Sequence, residues 1–250
     1  MTLGRPNMTL AALHLAGNAV LLFLGYYWLG IGESRTLTLM WSLFVALFLA
    51  AVTAVLHGAT FAYFGEPSPG LPAAFRTAVR HLPAIVAATL AVLALYVLLD
   101  RWAEYSTQPA FSIASWLTLK LRKPVKPATI LRIFSVATWF IRWIVLPILL
   151  LPMIAGAASR GWRGFTYFGK PGGRRIYWLA CPVLVLCAFW LPFRFIAWVP
   201  TVGSFAMEII SFTVRFLMAY LLFVGAWLLL AFLTSAGKPV LSQSRTVVSP

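Results

Sequence analysis

Acidic residues are scarce in this chain. Its 250 residues include 5 Asp and Glu against 20 Lys and Arg, with only 3 His and 2 Cys. So little acid and imidazole leaves sparse material for general acid–base work. Clustered carboxylates of the kind that hold metal ions for phosphoryl transfer are missing. The chain also has no HExxH pair, no GxSxG turn, no P-loop and no GxGxxG following a strand. These absences argue against zinc hydrolases, serine hydrolases and ATP-driven pumps, and leave unfamiliar chemistry open. The two cysteines, Cys181 and Cys187, lie six residues apart in one apolar segment. On a helix that spacing puts them on different faces, more than a turn apart, so they cannot pair there. They read as small buried apolar residues and say nothing of redox compartment.

Charge of either sign is low as well. Charged residues make up 10% of the chain and apolar residues 62%, against roughly 25% and 45–50% in soluble domains. A water-soluble fold of this size cannot hide that much apolar surface, so the chain needs the bilayer as its second solvent. The net charge of +15 then belongs to the rims, where Lys and Arg meet anionic headgroups and set topology. No nucleic-acid-binding motif accompanies it, and no nucleic-acid partner is expected.

What is present is a series of long apolar runs. They are continuous rather than alternating, which excludes a β-barrel. Only helices satisfy their own backbone segment by segment in lipid. The fold class predicted is therefore an all-α polytopic transmembrane bundle with about six spans, near residues 9–30, 37–64, 82–99, 134–159, 176–199 and 210–235. Together residues 1–236 form one membrane domain, and 237–250 form a polar tail. The first run follows Arg5 and ends in Tyr26, Tyr27 and Trp28, an interfacial aromatic belt. It exceeds a signal-peptide core of about 7–15 residues and lacks a cleavage site after it, so it is read as a span.

Two connections carry short amphipathic helices expected to lie on the headgroups. In 65–81, Leu71, Phe75, Ala78, Val79 and Leu82 share one face, with Arg76 and Arg80 opposite. In 100–129, Phe111, Ile113, Trp116 and Leu117 precede the basic cluster Lys120, Arg122, Lys123 and Lys126. The sequence also echoes itself: FAYFGEP at 61–67 and FTYFGKP at 165–171 agree at five of seven positions. A repeat of 37–99 by 134–199 would place both copies on the same side. Convergent interfacial aromatics before a Gly-Pro turn give the same pattern. Lys and Arg divide ten against ten between the two sides, so the positive-inside rule does not decide. The compact, charge-dense fourth connection favours cytoplasmic termini.

Within the spans, Ala46, Ala50, Ala54 and Gly58 recur at four-residue spacing and predict a helix–helix seam. Pro147, Pro152, Pro182 and Pro192 interrupt the fourth and fifth spans and invite kinks. Polar residues at membrane depth are costly, so they are the functional leads. Ser204, Glu208, Ser211 and Arg215 fall on one face of the sixth run. They line an intramembrane cavity or ion path, or, if the span proper starts near 216, they are wet charges beyond it. Arg142 on the fourth run is placed to reach Glu208 if those helices touch, or to snorkel to headgroups. His14 and Asn18, four apart on the first run, are expected to hydrogen-bond a neighbouring helix. His57 is expected at the interface near the end of the second run.

The chain resembles small polytopic proteins of bacterial inner membranes in composition and in its amphipathic-segment-then-span pattern. That resemblance implies a multi-pass protein of that membrane. The leading functional expectation is a non-enzymatic scaffold, assembly factor or subunit. Its partners would be the lipid bilayer, anionic lipid headgroups and other membrane proteins or a second copy, with no cofactor and no metal. A small transporter or channel using the Glu208 face is the alternative, and a lipid-modifying enzyme the third reading.

Overall fold

A computed structural model describes residues 8–32, 34–65, 70–166, 175–200 and 204–235. The polar tail at 237–250, the last two residues of the first echo (66–67) and most of the second (167–171) lie outside the described residues. The protein is an all-α polytopic membrane bundle, and among the described residues six helices are long and apolar enough to cross a bilayer. Helix α1 runs Met8–Leu29, α2 Thr36–Phe64, α3 Leu71–Arg80, α4 Leu82–Tyr105, α5 Thr107–Leu121 and α6 Pro127–Phe140. A π-helical turn, Ile141–Val145, joins α6 to α7, Leu146–Arg160, and a 3-10 segment, Gly161–Thr166, follows. Next come α8, Arg175–Val185, a second π turn, Leu186–Trp190, then α9, Leu191–Ala197, and α10, Phe205–Ser235. Spans alternate in direction. One rim, the first, therefore holds the start of α1, the end of α2, α3, and the ends of α7 and α10. The second rim holds the α1–α2 turn, α5 and the start of α10.

The helices pack closely at the first rim and splay towards the second. The main core joins Ala59 and Phe61 of α2 and Ile85 of α4 to Leu151, Ala155 and Ala158 of α7. Tyr177, Cys181 and Val185 of α8 and Trp227, Leu230 and Ala231 of α10 complete it. Small residues allow this approach. A Cβ on Gly58 would meet Ile85 Cδ1 at 2.7 Å, and one on Gly164 would fall 2.0 Å from the Gly156 carbonyl. Gly161, at φ +63°, turns the chain at the end of α7 and folds the 3-10 segment back against that helix. The predicted seam on α2 is buried only at this end. Gly58 is buried and Ala54 packs on the core, whereas Ala46 is half-buried and Ala50 exposed. Four-residue spacing sets a common face, but the splaying of the helices leaves half of it open.

The amphipathic segments also differ from expectation. Helix α3 docks on α2 through Ala74, Phe75 and Ala78, while Val79 faces outward. It is therefore a packed part of the bundle and not only a surface helix. Helix α5 folds against α6 over a small separate core of Ala110, Ala114 and Ile130, with Arg122 in left-handed conformation at the turn. The echo takes two local forms. Phe61 lies in α2, whereas Phe165 lies in the 3-10 segment.

Two of the interior prolines, Pro147 and Pro152, are matched by specific side-chain donors. Pro147 and Pro192 each have no N–H and crowd the carbonyl four residues back. Each follows directly on a π turn, in which the N–H of Leu146 bonds Ile141 O and that of Leu191 bonds Leu186 O. The first shift leaves Arg142 C=O without an intrahelical donor, because the next residue is proline. Tyr96 Oη donates to that oxygen at 2.9 Å. Pro152 likewise frees Ile148 C=O, and Tyr177 Oη donates to it at 2.7 Å. Buried backbone acceptors require such partners.

Candidate functional site

His14 lies six residues into α1, and His57 seven residues before the end of α2. At 1.5 Å per residue both are roughly 10 Å from the first rim. Neighbouring antiparallel helices therefore bring them to one depth, and their ring centroids are 5.5 Å apart. His57 is thus inside the bundle, not at the interface as its place near the helix end suggested.

A hydrogen-bond chain runs through His14. Asn18 Nδ2 donates to His14 O at 2.8 Å and approaches His14 Nδ1 at 3.3 Å. A carbonyl can only accept, so the amide nitrogen must face it, and Nδ1 then accepts too. The ring proton therefore sits on Nε2, which is 2.5 Å from Thr60 Oγ1. The Thr60 hydroxyl passes its own proton on to Leu56 O at 2.9 Å. His14, Asn18 and Thr60 are buried; His14 reaches across to α2 through Thr60, whereas Asn18 bonds back to its own helix and not to a neighbour.

His57 is different. Its ring stands edge-on to Trp227, with centroids 4.9 Å apart, and beside Phe223 at 6.3 Å. Its Nδ1 is buried without a partner, as is Trp227 Nε1. His57 also forms the floor of a cleft of about 580 Å³ between α1, α2 and α10. Asn18, Leu22, Tyr26, Trp28 and Tyr220 line it, so it extends from the aromatic belt of the second rim to mid-bundle. A second, apolar cavity of about 260 Å³ adjoins it, sharing Leu22, Tyr220 and Phe223. Tyr220 Oη bonds Leu15 O and ties α10 to α1 beside the cleft. Small, polar and interfacial aromatic groups thus frame a space whose lining, among the described residues, carries no formal charge.

The other predicted leads sit elsewhere. Glu208 is exposed in the first turn of α10, where a carboxylate opposes the helix macrodipole favourably. Its N–H bonds Ser204 O at 3.1 Å, and Ser204 Oγ accepts from Met207 N at 3.4 Å. Arg215 Nε donates to Ser211 O at 3.2 Å. Its Nη1 reaches Phe195 O at 3.2 Å, Ile196 O at 3.3 Å and also Trp198 O. Arg215 therefore caps the C-terminal end of α9, supplying donors to carbonyls that lack them. Arg142 does not meet Glu208. Its Nη2 pairs with Asp100 Oδ1 of α4, because α6 lies against α4 rather than the start of α10.

Spacing along the chain brought out His14 and Asn18 but missed Thr60, Trp227 and Tyr220, and misplaced His57. One signal was available: equal depth of His14 and His57 on consecutive antiparallel spans. No protein-family model matches this chain, and no curated protein or solved structure is similar to it.

Proposed function

We propose that this protein is a non-enzymatic membrane component that holds a neutral, lipid-like molecule in the cleft between α1, α2 and α10. The observation that carries this reading is His57, which lines a largely apolar cleft and whose Nδ1 is buried without a partner. A buried polar group needs a hydrogen-bond partner, and a ligand presenting one hydroxyl or carbonyl supplies it. The described cleft walls carry no formal charge, which favours a long-chain alcohol, isoprenoid or quinone over a charged lipid. The adjoining apolar cavity extends the space available to a tail. A binding role is favoured over catalysis because His14 is already committed to Thr60 and Asn18. That leaves one free imidazole without an acid or nucleophile bonded to it.

The scaffold or subunit role fits the same description, with the ligand as the cargo or stabiliser of an assembly. The bacterial inner membrane is the compartment we propose, on compositional resemblance alone. The channel reading draws no support from Glu208, which is exposed and lines neither of the two cavities.

Photolabelling tests the proposal. A long-chain alcohol bearing a diazirine should label α1 and α10 residues around Leu22 and Phe223 in the purified protein. His57→Phe, which keeps an aromatic ring but removes the polar atom, should cut labelling by roughly tenfold. Labelling that spreads over the outer faces of the helices, or that ignores His57→Phe, refutes the assignment.

A further inference from the structure

We propose that a second site, independent of the cleft, binds the phosphate of an anionic phospholipid headgroup where the end of α4 meets α6. A pocket of about 230 Å³ opens there, lined by Ser106, Ser135, Thr138, Trp139, Arg142 and Trp143. Its level in the bilayer follows from its neighbours. Asp100, Arg101 and Glu104 begin the charged end of α4, and Arg101 and Glu104 are exposed and paired at 2.9 Å. Trp139 and Trp143 carry indoles at the same height, as an interfacial belt does. The pocket therefore lies at headgroup depth on the second rim.

Its chemistry is that of an anion site. Arg142 is held on the π turn between α6 and α7, and its backbone oxygen is anchored by Tyr96. π turns are frequently found at functional positions. Asp100 takes one guanidinium donor, Nη2, whereas Arg142 Nε is buried with no partner. Guanidinium groups match phosphate geometry with several parallel donors. The Ser106 hydroxyl is committed to Ala103 O at 2.8 Å. Those of Ser135 and Thr138 carry no hydrogen bond to a described residue and are free to donate to phosphate oxygens. Among the described residues, the Asp100 carboxylate is the acidic group that meets Arg142. Its side chain is 57% exposed, so water screens its repulsion of a second anion.

Native mass spectrometry of the full chain in mild detergent tests the site, with dioctanoyl phosphatidylglycerol, dioctanoyl phosphatidylcholine and inorganic phosphate as probes. One phosphatidylglycerol should be held roughly tenfold more tightly than phosphatidylcholine. Arg142→Lys and Thr138→Val should each weaken it by about fivefold or more; Thr138→Val leaves the charge unchanged and nearly keeps the volume. Should Arg142→Lys fail to fold, Thr138→Val still reads the site. Displacement by millimolar phosphate would assign the pocket to a free anion, and resistance to it assigns the pocket to lipid. Equal retention of phosphatidylglycerol by wild type and both variants, or equal affinity for phosphatidylcholine, overturns the proposal. Neither variant touches the α1–α2–α10 cleft, so photolabelling there should persist.

Discussion

Replacing Tyr177 with Phe tests how this bundle tolerates a proline inside a packed span. Pro152 removes the donor that Ile148 C=O would receive in a regular helix, and the Tyr177 hydroxyl stands in at 2.7 Å. Tyr177 is 1% exposed and Ile148 7%, so no water replaces a deleted hydroxyl. Leaving a buried acceptor unsatisfied costs about 1–3 kcal/mol. Tyr177→Phe should therefore destabilise by that amount while changing packing little. Pro152→Ala restores a backbone N–H facing the same carbonyl. In its presence the Tyr177→Phe penalty should shrink, giving a coupling energy of about 1–2 kcal/mol in a double-mutant cycle. Equilibrium unfolding in mixed micelles, titrated with denaturing surfactant, measures all four proteins. If Tyr177→Phe costs the same with and without Pro152, the hydroxyl is not serving the gap that the proline leaves at Ile148 C=O.

Two further outcomes follow from the geometry. Gly164→Ala places a Cβ 2.0 Å from backbone atoms of Gly156, which cannot yield as a flexible side chain can, so the loss should reach about 3 kcal/mol or more; Gly225→Ala meets nothing within 4 Å and should cost nothing in the same unfolding assay. Arg215→Gln should release the C-terminal end of α9 at a cost of about 1 kcal/mol, seen as faster hydrogen exchange at the Trp198 amide, which bonds Arg194 O at 3.0 Å, with an unchanged rate there contradicting the capping role.

Hydropathy and proline placement made the six spans and their interruptions readable in advance, because a helix in hydrocarbon satisfies its backbone from within its own segment. The leads His14 and Asn18 were legible for a similarly local reason, since spacing alone fixes which residues share a helix face. Which face then meets which neighbour was decided only by the tertiary structure. Arg142 found Asp100 rather than Glu208, and Arg215 found the end of α9, because the depth and rotation of each helix depend on its neighbours. The small-residue stripe from Ala46 to Gly58 shows the limit most clearly: one period, yet packed at Gly58 and open at Ala50. The sequence by itself determined how many rods are long and apolar enough to cross the bilayer. The close approach of small residues at one rim, and the splay it leaves at the other, decided where polar atoms meet and where the cleft opens, since packing is a property of pairs of helices and not of any single segment.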